Sequence, residues 1–272
     1  MTEKIRILLP KKELKIETPK ESLFKRYKEF EERLSSLWQN FGLTKKTQEI
    51  TTSIIDKEVR NLFSYFPESF AHLTIEELSE ILIALLESHS PVYAQHSRDV
   101  ATNAYNFAFQ SGIRDEKTLK EIYYTGLLHD IGKLVIPAEI LHSENGITGE
   151  QREIIKKHTY FSRLILSLFP QTREIAEKVW LHHERFDGEG YYGIELDEDE
   201  NNPLWYVILA DYYTALTEKR PYKDPLPDWQ AMEIIFQDKG ALPPKHIEIL
   251  NPNLNLYRRR HCCFKISFFY MT

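Results

Sequence analysis

The sequence predicts an all-α fold, and three observations carry that expectation. From Leu23 onwards, apolar residues recur at intervals of three and four in segment after segment, the spacing that lines one face of a helix. Helix-start signatures stand ahead of several of these segments. No hairpin signal separates them.

The elements follow in order. Ile5, Ile7 and Leu9 alternate weakly and suit a short strand or an ordered arm. Leu23, Tyr27, Phe30, Leu34, Leu37 and Phe41 then form a heptad-like stripe, shorter than the three to four heptads that argue for a coiled coil. The stripe is expected to pack this helix onto its own domain. A partner helix, as in a homodimer, is the alternative use. Thr74 with Glu77 is a capping-box pair, and Ile75, Leu78, Ile81, Leu82, Leu85 and Leu86 give the apolar face behind it. Pro91 breaks that helix, and the next carries His96, Val100, Ala104 and Phe107 on one stripe.

Leu119, Ile122 and Gly126 run in phase towards His129 and Asp130. Thr148 with Gln151 caps a helix whose inner face is Ile154, Ile155, His158, Phe161, Ile165 and Leu168. Thr172 opens the next, with Ile175, Ala176, Val179, His182 and His183 in phase. Asn202–Pro203 starts a helix through Leu204, Val207, Ile208, Asp211 and Ala215. Between the last two, FDGEGYYGIELDEDENN (186–202) reads as a long loop, a length usually functional or disordered. The expected organisation is an N-terminal arm and helical extension over 1–70, a main helical domain over 71–250, and a C-terminal tail over 251–272.

Composition narrows the setting. The chain has 272 residues and a net charge of −6, which argues against coating polymeric nucleic acid. Its two cysteines, Cys262 and Cys263, are adjacent and form no disulfide framework, which suits a reducing compartment. The first residues lack a signal-peptide apolar core, and no run approaches the roughly 18 apolar residues of a membrane span. The expectation is a soluble, cytoplasmic protein. The tail YRRRHCCFKISFFYMT is expected to pack on the surface or to stay disordered rather than to anchor in a membrane.

Function is sought among the polar residues that periodicity places on apolar faces: His96, His129, Asp130, His158, His182, His183 and Asp211. One histidine on an inner face is usually a satisfied core residue. Five imidazoles and two carboxylates gathered from five helices are not what a core built to pack would collect. Nitrogen and carboxylate donors together suit iron, manganese or zinc rather than magnesium or calcium. So many donors exceed one tetrahedral site and suit two metals sharing a bridging carboxylate, for which Asp130 is placed. Such a pair, about 3.5–4 Å apart, can hold a bridging hydroxide and clamp a phosphodiester. Lys133, three residues after Asp130, is positioned to neutralise charge on the phosphate.

These residues resemble the HD superfamily of metal-dependent phosphohydrolases, and within it the HD-GYP subgroup. The resemblance runs from about Pro91 to Leu250. It rests on His96 with Val100, HDIGK at 129–133, His158, HHERFDGEGYY at 182–192 and ADYYTALTEKRPYK at 210–223. It implies an all-helical domain with a binuclear iron or manganese site and hydrolysis of cyclic di-GMP; a two-metal site cutting one bond per binding event is expected to leave linear pGpG. His96, His129, Asp130, His158, His182, His183 and Asp211 match the family's metal ligands. Asp130 and Lys133 match catalytic positions, and Lys133, Arg220, Lys223, Gly190 and Tyr191 match positions that contact substrate. The Gly190–Tyr191–Tyr192 loop corresponds to one associated with substrate access and with docking of GGDEF-type or other signalling partners.

Three departures stand out. The proline of Gly-Tyr-Pro is Tyr192, which bears on regulation and partner choice more than on chemistry. The second aspartate of the DxxDAL pattern is Thr214. Val92 stands where some relatives place a third-metal glutamate, so two ions are expected. Two other readings compete: a degenerate receptor that binds cyclic di-GMP with little turnover, and a hydrolase of another cyclic dinucleotide. Without the resemblance, Arg220 would pair with Glu218 or Asp224 at a helix end.

Overall fold

The computed structural model describes residues 18–40, 45–64, 66–143, 146–197, 199, 202–219 and 224–249. The arm through Ile5, Ile7 and Leu9, Phe41 of the apolar stripe, and the tail with Cys262 and Cys263 lie outside them. The described residues form helices and turns without a strand, as expected. The helices are α1 (Pro19–Asn40), α2 (Lys45–Phe63), α3 (Phe66–Ser69), α4 (Ile75–His89), α5 (Pro91–Gln110), α6 (Glu116–Leu128), α7 (Ala138–Leu141), α8 (Gly149–Ser167), α9 (Arg173–Trp180), α10 (Pro203–Thr217), α11 (Asp228–Gln237) and α12 (Pro244–Ile249). None is long and apolar enough to cross a membrane.

Local chemistry sets several boundaries. Thr74 accepts from the Glu77 amide while Glu77 accepts from the Thr74 amide, and Thr148 and Gln151 do the same at the start of α8. Each such cap is worth about 1 kcal/mol. Ser90 ends α4 and begins α5, whose first residue, Pro91, has no amide to leave unpaired. Asn202 caps α10 through the Leu204 amide. Thr172 departs from expectation: its hydroxyl donates to the Leu166 carbonyl at 2.7 Å instead of capping α9.

The apolar stripe of α1 is spent inside the chain. Leu23, Tyr27, Phe30, Leu34 and Trp38 are all buried. Trp38 closes the stripe where Leu37 was expected, because a straight helix drifts from a strict heptad repeat and brings residue 38 inward. Leu37 is only partly buried. This stripe joins α2, α4, α8 and α9 in one apolar cluster, while α10 and α11 build a second around Trp205. α6 divides between them, with Tyr124, Leu127 and Leu128 in the first and Leu119 and Ile122 in the second. α5 feeds both, with Ala94 and Ala101 in the first and Val100 and Ala104 in the second. The polar constellation sits along that seam.

Candidate metal centre

The donors reach the seam from several elements. His96 lies on α5, His158 on α8 and Asp211 on α10. His129 is the residue at which α6 ends. His182 and His183 were expected on a continuing helix, but α9 stops at Trp180 and both sit in the turn that follows. That turn lets consecutive residues face one centre, which a helix, rotating 100° per residue, would not allow. Lys133 stands on a single 3-10 helical turn, Ile131–Val135. Residues three apart eclipse there, so its ammonium lies 2.5 Å from Oδ2 of Asp130.

The loop from His129 to Lys133 is pressed against α8. A Cβ on Gly132 would collide with the His158 carbonyl and the Ser162 amide, so only glycine permits this approach. Ser162 holds the contact with one hydroxyl, which accepts from the Gly132 amide and donates to the His129 carbonyl, both at 2.8 Å. A serine on an apolar helix face gives little sequence signal for that task.

Three imidazoles are oriented by their own backbone. Nδ1 donates to the carbonyl three residues back in His129 (Gly126, 2.7 Å), His158 (Ile155, 2.6 Å) and His182 (Val179, 2.5 Å). A carbonyl can only accept, so Nδ1 carries a proton and Nε2 is the nitrogen turned to the centre. His96 is held differently, with Nδ1 2.8 Å from an Oε of Glu218. Arg220, the partner considered for Glu218 from sequence, lies outside the described residues.

The atoms sort into two halves. His158, His182 and His183 form one group that could hold a metal ion, and His96, His129 and Asp211 another, with donor atoms within 4.8 Å of one another in each. Asp130 links the halves, forming a third such group with one histidine from each, His129 and His182. Its Oδ1 lies 3.1 Å from Nε2 of His158 and 4.0 Å from that of His182. Its Oδ2 lies 3.2 Å from Nε2 of His129 and 4.0 Å from that of His96. Asp211 straddles as well, with Oδ1 3.0 Å from His96 and Oδ2 3.9 Å from His183.

Fit to metal can be read from what the donors leave undone. Oδ1 of Asp130 is buried with no hydrogen bond aimed at it, and Nε2 of His158 and His182 approach within 3.3 Å of each other. Unpartnered donors of mixed nitrogen and oxygen type converging on one point suit a divalent transition ion. The electrostatics agree. Burial would raise the Asp130 carboxyl, but His129 and Lys133 outweigh it and hold the group well below the usual range. Burial likewise opposes the hydrogen bond from His96 at Asp211, and the bond wins. Burial and the imidazoles around it keep His182 well below its ordinary value. Lys133 is pushed down by burial and up by Asp130, and the net direction is up.

Of the expected substrate contacts, Lys133, Gly190 and Tyr191 lie at this centre, and Arg220 and Lys223 lie outside the described residues. Tyr191 tilts over His183, ring centroids 4.4 Å apart, and donates its amide to the His183 carbonyl. Gly190 packs on the backbone of His183 and Glu184. Glu184, which the sequence reading passed over, is buried and accepts from the amides of Tyr192 and Ile194, both at 2.9 Å. Tyr93 is also new: its ring lies under Lys133, 3.9 Å from Nζ to centroid. Val92 is exposed at the start of α5, and Thr214 is buried with its hydroxyl accepting from Asn103.

Comparison with known proteins places this arrangement. Residues 80–242 match the sequence model of the HD domain. A 3'3'-cGAMP-specific phosphodiesterase 1 of Vibrio cholerae is 31% identical over 71% of this chain and 45% of its own length. A cyclic di-GMP phosphodiesterase of Thermotoga maritima is 34% identical over 70% of this chain and 50% of its own. A 3'3'-cGAMP-specific phosphodiesterase 2 of Vibrio cholerae is 28% identical over 77% and 41%. The chain thus spans half or less of the length of these relatives. With the His129–Asp130 pair at the meeting point of both donor groups and the matched region enclosing every residue of them, the chain belongs to the HD-domain family.

Proposed function

We propose that this chain is a metal-dependent phosphodiesterase that opens cyclic di-GMP to linear pGpG. One observation carries the reading: two donor groups meet at a buried carboxylate, Asp130, with Lys133 against it. In this reading His96, His129, Asp130, His158, His182, His183 and Asp211 hold two divalent ions, with iron or manganese best suited to the donor mix. When bound, such ions supply the positive charge and the activated water that phosphodiester hydrolysis requires.

The chain's own residues do the rest. The backbone bonds of His129, His158 and His182 fix the imidazole tautomers before any ion arrives, so no reorganisation is needed. Lys133 presents a fixed ammonium where negative charge grows on the phosphate. Tyr191 walls the His158–His183 side and limits water. Hydrolysis adds one water oxygen to phosphorus and releases one ribose hydroxyl, so the ring opens to a linear dinucleotide. A second cut requires the product to be re-seated, and pGpG accumulates before GMP.

The Vibrio cholerae relatives favour a second reading of the substrate, in which the ring is 3'3'-cGAMP. One experiment addresses both: anaerobic purification, metal quantification, then separate incubation with each ring and separation of products. Two ions per chain with pGpG from cyclic di-GMP is the expected result. Zero or one ion in every preparation sinks the two-ion reading. Tight binding of cyclic di-GMP without hydrolysis makes the chain a receptor, and faster cutting of 3'3'-cGAMP moves the substrate.

A further inference from the structure

The loop that carries Asp130 and Lys133 is held from two sides. On one side lies Ser162 of α8, inside the region matched by the family. On the other lies α1, which the family match does not include. Tyr27 Oη donates to the Leu134 carbonyl at 3.0 Å, and Trp38 Nε1 donates to the Val135 carbonyl at 3.0 Å. The next carbonyl, Ile136, accepts from Nε2 of His89 at 3.0 Å, and Nδ1 of His89 lies 2.6 Å from a carboxylate oxygen of Glu31, again on α1. Three successive carbonyls following Lys133 are thus engaged by α1, directly or through one imidazole.

We infer that Tyr27 and Trp38 are positioning residues for the metal centre, and that α1 works as the outer clamp of the loop bearing Asp130 and Lys133. This deepens the proposed function and rests on it for the reaction concerned. The physical case has three parts. A 3-10 turn has poorer internal hydrogen bonds than an α-helix, so an element of this kind depends on outside partners to keep one geometry. All three carbonyl contacts are buried, where a missing partner leaves an acceptor unsatisfied. Packing alone does not require the polar atoms: Phe at 27 or 38 would fill much of the same space, yet the side chains present are the two aromatics that carry an N–H or O–H.

The test separates positioning from stability. Tyr27→Phe and Trp38→Phe each remove one donor, and Val59→Ala, buried on α2, is the stability control. Hydrogen exchange of the amides of residues 131–136 is followed in metal-free protein, and manganese affinity by competition with a chromophoric chelator. Each donor variant is expected to speed exchange in that loop and to weaken manganese about three- to tenfold, the range of one hydrogen bond. The control should lower Tm and leave both readings unchanged. With cyclic di-GMP, kcat should fall with KM little altered. Donor variants that lower Tm yet leave loop exchange and manganese affinity at wild-type values overturn the inference, as does faster exchange with unchanged affinity. If wild-type protein hydrolyses no cyclic dinucleotide while both metal-side readings move, the substrate reading fails and the clamp stands. The single variants keep the test readable where the double variant does not fold.

Discussion

Nδ1 of His96 and the carboxylate of Glu218 meet at 2.8 Å, although 122 residues separate them in the chain. The contact joins the middle of the first turns of α5 to the C-terminal cap of α10, and it differs from the backbone carbonyls that orient His129, His158 and His182. A carboxylate behind a ligating imidazole fixes its tautomer and raises its basicity. Glu218→Ala should therefore weaken metal binding about 10- to 100-fold. Glu218→Gln, which can still accept from Nδ1 but carries no charge, should fall between. Equal affinities for all three proteins in a chelator competition would show that Glu218 does not act on the metal.

The metal-free centre should give stability a maximum near neutral pH. Burial pushes His96 down, but the hydrogen bonds of Asp211 and Glu218 outweigh it and raise its pKa to about 9 from an ordinary 6.5. A raised histidine contributes stability that is full below 6.5 and lost as pH climbs through about 9. Burial drives His182 and His183 the other way, His183 to about 3. For those two the unfolded chain binds more protons as pH falls below 6.5, so stability drops on the acid side. Chemical denaturation of metal-free protein between pH 5 and 9 should peak near 6.5. A His96→Gln variant should lose the decline at high pH. A flat profile with His96 present would count against the arrangement around it.

Tyr192 stands where the resembling family has proline, and the structure gives the tyrosine work that proline cannot do. Its amide donates to Glu184, its hydroxyl meets Thr159 at 2.8 Å, and its ring lies against Trp180. Tyr192→Ala keeps the amide and loses the side-chain contacts. Tyr192→Pro also strips one of the two amides that satisfy a buried carboxylate, an added cost of about 1–3 kcal/mol. Restoring the family residue should thus be more damaging than truncation, as read by denaturant midpoints. If the proline variant matches the alanine variant, the Glu184 contact is not what holds this loop.

Much of this was legible in the sequence, for identifiable reasons. His96, His158 and Asp211 fall in phase with apolar residues, so periodicity alone put them inside. Thr74–Glu77 and Thr148–Gln151 marked helix starts because capping chemistry is local. The turn carrying His182 and His183 was not legible, since a helical period extends smoothly across a helix end that carries neither glycine nor proline. Trp38 was displaced by Leu37 because a heptad template was laid on a helix of period 3.6. Ser162, Glu218 and the donors Tyr27 and Trp38 act on partners distant in sequence, and Glu184 acts across an irregular loop, so no spacing rule reports these pairs.

Lys133 offers the sharpest test, because its two tasks predict effects of opposite sign. It is buried, 2.5 Å from Oδ2 of Asp130 and above the ring of Tyr93. In metal-free protein it is the permanent positive charge nearest to a carboxylate that burial would otherwise penalise. Lys133→Met keeps the length of the side chain and removes that charge, at a cost of about 3–5 kcal/mol for leaving a buried partner uncompensated. An ion entering the centre meets the same carboxylate, and in wild-type protein it must compete with the ammonium for Oδ2. Without Lys133 that competition is gone, so manganese should bind more tightly and raise Tm by more than it does in wild type. Turnover should move the other way, because the ammonium acts where charge develops on the phosphate, and kcat should fall with KM less affected. Thermal shifts with and without manganese, read beside single-turnover hydrolysis, distinguish these effects. A variant whose metal affinity and turnover fall together would mean that Lys133 supports the ion, and the division of labour between Asp130 and Lys133 would have to be redrawn.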